Sequence, residues 1–270
     1  MVITMINANK MTRPAAVSGM FYASDPQQLS SDIHAYLSQA NNRFNCQPKA
    51  LIAPHAGYIY SASIAANAYK LLEPIAQEIH QVILLGPSHR VAFKGIATPD
   101  VNFFETPLGS IKINNQFCDM AEQLNFVNKN RLAHKDEHSL EVHLPFLQSL
   151  LTDFELTPFV VGDCDEKDVE ALLELFWTTK NRLYVISTDL SHFQDYDSAI
   201  KHDANTSHAI ESMQPEKIHY DDACGRNPLN GMLNLAKHHQ LKIKCLNLKN
   251  SGDTAGDKNR VVGYGSYAAY

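Results

Sequence analysis

Four apolar segments of this chain stop abruptly at polar, turn-forming sequence: PHAG at 54–57, GPSH at 86–89, GDCD at 162–165 and TDLSH at 188–192. Segments with helical periodicity separate them. Short apolar runs alternating with amphipathic helices predict a mainly parallel sheet covered on both faces, because each parallel neighbour needs a crossover. The expected fold is therefore α/β, a single domain with helices on both faces. Parallel strands bring their carboxyl ends to one edge, and open α/β sheets bind ligands at that edge.

The strands expected in this sheet are Ala50–Ala53, Val82–Leu85, Phe159–Val161 and Tyr184–Ile186. Leu241–Leu248 and Val261–Tyr267 close the chain as a pair joined by a loop alone, hence antiparallel. Gly95–Thr98 and Gly109–Ile113 read as short strands of a hairpin-like excursion. A first helix starts after Asp25-Pro26, with Leu29, Ile33 and Leu37 on one face. Further helices are expected over Ser63–Leu72, Gln116–Leu124, Ser139–Leu151, Asp165–Thr178, Ser198–Met213 and Asn227–His238. Residues 1–12 read as a loose tail and 13–270 as the domain.

Composition excludes several classes. The net charge is -6 with Lys and Arg scattered, so nothing marks a nucleic-acid surface. The apolar opening MVITMI is too short for a signal h-region or a membrane span, so a cytoplasmic protein is expected. Five cysteines without a CxxC pair read as free thiols. No GxGxxG, P-loop or GxSxG pattern occurs, which leaves nucleotide binding and serine hydrolysis unsupported.

The strand ends supply the candidate chemistry. His55, His89, Asp189 and His192 would converge at the carboxyl edge. Two imidazoles and one anionic ligand suit iron, copper or zinc and leave positions open for water or substrate. The third ligand is Asp189 or Cys224. Cys224 lies in ACGRNP, directly ahead of a predicted helix, whose N-terminus favours thiolate. Plain structural readings stand beside these. Asp189 and Ser191 serve equally well as helix caps, and Cys224 as a small buried hydrophobe. EHSLEVHLPF, residues 137–146, carries His138, Glu141 and His143 without the HExxH spacing. It reads either as an N-cap at Ser139 opening an amphipathic helix, or as residues that support the ligands or touch substrate.

Seven segments in one order resemble the Memo family, also called AmmeMemoRadiSam system protein B: RPAAVSGMFY, APHAGYIYSAS, ILLGPSHR, EHSLEVHLPF, STDLSHF, ACGRNP and GDKNRVVGYGSYAAY. The resemblance implies a fold like that of the class III extradiol dioxygenases, non-haem iron enzymes that hold metal with two His and a carboxylate. In the Memo family a cysteine takes the carboxylate's place. His55 and His89 then match the metal histidines and Cys224 the third ligand. Asp189 and His192 match pocket residues, His192 the acid/base. Iron or copper is implied, with zinc also compatible. The family's name further implies association with AMMECR1-like and radical SAM proteins. Two functions follow from the resemblance. One is metal-dependent redox or oxygenase-type chemistry on an unknown small molecule. The other is a non-catalytic module whose cleft holds a phosphorylated or anionic peptide, with His55, His192 and Arg90 supplying positive charge.

Overall fold

The computed structural model describes residues 11–41, 44, 46–178 and 180–270. The MVITMI opening and the tail as far as residue 10 lie outside them. Thr12, expected in the loose tail, already belongs to a strand.

The described residues form strands Thr12–Arg13 (β1), Ala50–Ala53 (β2), Gln81–Pro87 (β3), Ile96–Thr98 (β4), Phe103–Thr106 (β5), Gly109–Lys112 (β6), Val127–Lys129 (β7), Glu155–Val161 (β8), Arg182–Ser187 (β9), His192–Gln194 (β10), Ile243–Asn250 (β11) and Val261–Ala269 (β12). The α-helices are Pro26–Gln39 (α1), Tyr58–Tyr69 (α2), Asn115–Ala121 (α3), Arg131–Lys135 (α4), His138–Glu141 (α5), Leu144–Leu150 (α6), Glu166–Leu175 (α7), Tyr196–Glu211 (α8) and Arg226–His238 (α9). None is long and apolar enough to cross a membrane.

The main sheet runs β10-β12-β2-β9-β3-β8-β4-β7, with β11 paired to β12. Its centre, β2-β9-β3-β8, is parallel throughout. The closing strands β11 and β12 are antiparallel to each other, and β12 is antiparallel to β2. Successive side chains of the central strands enter opposite cores. Leu51, Val82, Leu84, Leu183 and Val185 pack on one face with α1, α2 and α6. Ile52, Ile83, Leu85, Tyr184 and Ile186 pack on the other with α7 and α9. Burial on both faces explains why these strands read as unbroken apolar runs rather than alternating ones.

Two expectations are corrected. Ile96–Thr98 is not half of a hairpin with residues 109–113. It joins the main sheet beside β8, while Phe103–Thr106 pairs with Gly109–Lys112 in a separate small sheet with β1. The helix expected over 139–151 breaks into α5 and α6. An uninterrupted helix would bury Pro145 in its interior, where the ring clashes with the Glu141 carbonyl and no N–H reaches it. Restarting at Leu144 puts Pro145 in the first turn, where its missing N–H is harmless.

Candidate metal centre

The sheet order explains the convergence. β2, β9 and β3 are neighbours, so His55, Asp189 and His89, each two residues beyond its strand, emerge side by side. Two close approaches bring in the remaining groups. A Cβ at Gly86 would lie 2.7 Å from Ser139 Oγ, so only glycine lets the His138 segment press onto β3. A Cβ at Gly225 would lie 2.4 Å from the Ser187 carbonyl, so glycine likewise lets the Cys224 turn close over the end of β9.

The ligand-capable nitrogens of His55, His89 and His138 lie within 4.8 Å of one another. Their ring centroids are 4.6 to 5.5 Å apart. Hydrogen bonds fix which nitrogens face inward. Ser187 Oγ donates its one proton to the Ser139 carbonyl at 2.6 Å, so it must accept from His55 Nδ1 at 2.6 Å. His55 Nε2 therefore carries the lone pair. The Glu137 carboxylate accepts from His89 Nδ1 at 3.0 Å, which turns His89 Nε2 away from Glu137. Glu137 also accepts from the backbone N–H of His89 at 2.6 Å and of Ser139 at 3.0 Å. Burial alone would raise this carboxyl, but the His89 hydrogen bonds and charge, with the Ser139 N–H, pull it down to about 2. His138 Nδ1 lies 3.3 Å from Glu137 Oε1 yet is buried without a hydrogen-bond partner.

Burial, and then the neighbouring imidazoles, push His55 well below the ordinary imidazole value. Burial likewise brings His138 down to about 4. Both rings are thus held neutral, the form that ligates. Cys224 Sγ stands 3.4 Å from His55 Nε2. Two donors on one tetrahedral ion, at about 2.0–2.1 Å for nitrogen and about 2.3 Å for sulfur, are roughly 3.5 Å apart. The His55–Cys224 separation matches such a pair, while among the described residues the three groups that lie mutually within reach of one ion are His55, His89 and His138. The Asp189 N–H points at the sulfur, 3.4 Å away. The expectation of a thiolate favoured by the helix end is corrected. Burial, and then the Asp189 charge, push the Cys224 thiol up to about 12, which outweighs the helix end.

A family model described as Memo-like protein matches residues 13–268. The chain belongs to the Memo family. It is 34% identical to a MEMO1 family protein of Aquifex aeolicus over 263 residues, covering 93% of this chain and 97% of the relative. A MEMO1 family protein of Thermoplasma volcanium is 31% identical, covering 96% and 98%. One from Methanococcus maripaludis is 34% identical, covering 95% and 99%.

The other residues singled out in this Memo chain take different places. Asp189 is buried, accepts the His55 backbone N–H at 2.7 Å, and is raised to about 6 by burial. His192 is exposed and lines a cavity with His89 and Cys224, its Nδ1 bonded to the Leu190 carbonyl. Arg90 is exposed beside His89. Glu141 cannot touch a substrate. It is fully buried, and its oxygens accept from Arg13 Nη1, the N–H groups of Ala16 and Val17, and the Tyr22 hydroxyl. His143 is buried against the Tyr69 hydroxyl, 2.8 Å away. Glu137 was missed. The true N-cap of α5 is Glu137, not Ser139. An acid directly ahead of a candidate histidine was the available signal. Ser187 gave none.

Proposed function

We propose that this Memo protein carries a non-haem metal at the strand ends, held by His55, His89 and Cys224, and performs oxygenase-type redox chemistry on a small molecule in the adjoining cleft. The observation that carries this reading is the mutual approach of the His55, His89 and His138 ring nitrogens within 4.8 Å, with the Cys224 sulfur 3.4 Å from His55 Nε2. Iron or copper there would supply one-electron chemistry and an open position, and zinc also suits the donors. Ser187 and Glu137 orient the two strand-end rings. Asp189, raised to about 6, can take up and release a proton beside Cys224. His192 and His138 are the imidazoles placed to pass a proton to a substrate.

Metal titration of the purified chain tests the reading. Stoichiometric uptake is expected, and its loss in a His55→Ala/His89→Ala double variant. Cys224→Ser should weaken Cu(I) and Zn(II) binding far more than Cys118→Ser, because Cys118 is a core residue. Equal effects overturn the ligand assignment. Oxygen uptake by Fe(II)-loaded protein with a reductant and a catechol panel tests the redox step. One observation favours the second reading, a module for an anionic peptide: exposed Arg90 stands beside His89 with no carboxylate in ion-pair range among the described residues. Binding of a phosphopeptide to metal-free protein, lost in Arg90→Ala, would select it.

A further inference from the structure

The cleft beside Cys224 has two chambers of contrasting chemistry. One, of about 550 Å³, is lined by His89, His192, Gln194, His202 and Asp221. The other, of about 460 Å³, is lined by Val91, Ala92, Phe93, Val161 and Pro228, with Lys94 and Asp163 also on its wall. Cys224 and Tyr220 line both.

Tyr220 is 58% exposed, and yet two residues of α9 hold it in place. The Arg226 guanidinium lies 4.2 Å over its ring, and Asn227 Nδ2 donates to its hydroxyl at 3.4 Å. Asn227 also donates to the Gly162 carbonyl, which ties this partition to the apolar chamber's wall. Holding an exposed side chain costs rotamer entropy, so a pinned exposed ring between two cavities points to a ligand. The polar chamber is equally fixed. Asp222 can only accept, so His202 Nε2–H donates to it at 2.5 Å, and His202 Nδ1 must carry a lone pair. Gln194 therefore offers its amide N–H to that nitrogen, at 2.8 Å, and turns its carbonyl oxygen away from His202.

We infer that the ligand is an elongated molecule lying across Tyr220, with a hydrogen-bond-donating head such as an ammonium group in the chamber lined by Gln194 and Asp221, and an aromatic or aliphatic body in the Phe93 chamber. This rests on the reading of the cleft as a small-molecule site. Ala92 and Phe93 set the length of the body, and Gln194, oriented by His202 and Asp222, reads the head.

The test compares benzylamine with 4-phenylbenzylamine, titrated calorimetrically into the purified full chain. Burying a second phenyl ring should tighten binding about tenfold or more. Ala92→Trp, an exposed loop position, should fill the apolar chamber and bring the ratio of affinities to near one. Tyr220→Ala should weaken 4-phenylbenzylamine more than benzylamine. A ratio near one in the wild type, a ratio unchanged in Ala92→Trp, or no binding of either amine overturns the inference. Metal uptake measured on the same preparations separates the two readings. Normal uptake with a failed ratio removes only the two-chamber ligand, and absent uptake with the expected ratio removes only the metal.

Discussion

Glu137 and Glu141 are one helical turn apart and both fully buried, 1% and 0% exposed, yet they serve opposite regions. Glu141 faces the N-terminal segment. It binds the Arg13 guanidinium at 2.7 Å, two backbone N–H groups and a phenol, and so locks residues 13–22 onto α5. Glu137 faces the histidines and spends its oxygens on one imidazole and two backbone N–H groups. A buried carboxylate is tolerable only when its lone pairs are filled. Both satisfy that rule, so burial and hydrogen-bond count do not separate them. The partner does. Donors from the chain's start make one carboxylate an anchor, and a donor from a ligand candidate makes the other an orienting group.

The largest expected effect is on the anchor. Glu141→Gln leaves Arg13, itself 4% exposed, as an uncompensated buried charge. A loss of about 3–5 kcal/mol in urea unfolding is expected, since removing one partner of a buried pair costs that much. Metal affinity of the fraction that folds should stay near the wild-type value. A stable Glu141→Gln protein would break the distinction at its structural end.

Glu137→Gln probes the other region. Metal affinity should fall about 10- to 100-fold, the usual effect of removing a carboxylate that orients a ligating imidazole. Its acid behaviour should also change. The folded carboxyl sits at about 2, below its ordinary 4.5. The stability it contributes is thus present above pH 4.5 and lost as the pH falls toward 2, a loss on the order of 3 kcal/mol. Buried His134 and His143, with half-buried His138, act in a higher window. Burial lowers them to about 3, 4 and 3 from 6.5, so the unfolded chain takes up their protons first and stability falls from pH 6.5 downward. Unfolding followed from pH 7 to 2 should therefore show two slopes. Glu137→Gln should flatten only the lower one, and a change in the upper slope alone would contradict the assignment.

How much of this was legible in the sequence follows the same division. The alternation of apolar runs and helices gave the parallel centre. The terminal polar residues gave His55, His89 and Asp189 at one edge, because strand direction alone determines that edge. Residues whose roles depend on a distant partner were not legible. Nothing in EHSLE tells Glu137 from Glu141. The difference lies in Arg13 and His89, 128 and 48 residues away. Ser187 was invisible for a further reason: it reads as the last residue of a buried strand, and only the Ser139 carbonyl fixes its proton. The Cys224 thiol was misjudged because a helix start predicts thiolate, while burial and the Asp189 charge outweigh it.

The smallest expected effect sharpens the comparison most. The Tyr22 hydroxyl donates to Glu141 Oε1 at 2.6 Å, and that oxygen also accepts the Val17 N–H. Tyr22→Phe keeps the ring packed on Tyr58 and leaves Oε1 one donor, so the loss should be about 1.5 kcal/mol, the low end for a hydrogen bond to a charged group. Metal affinity should stay within about twofold of wild type, because among the described residues no hydrogen bond leads from Tyr22 to the imidazoles except through α5. A tenfold loss of metal affinity in this variant would show that α5 transmits strain from the anchor to the histidines. The two carboxylates would then belong to a single unit and not to two regions.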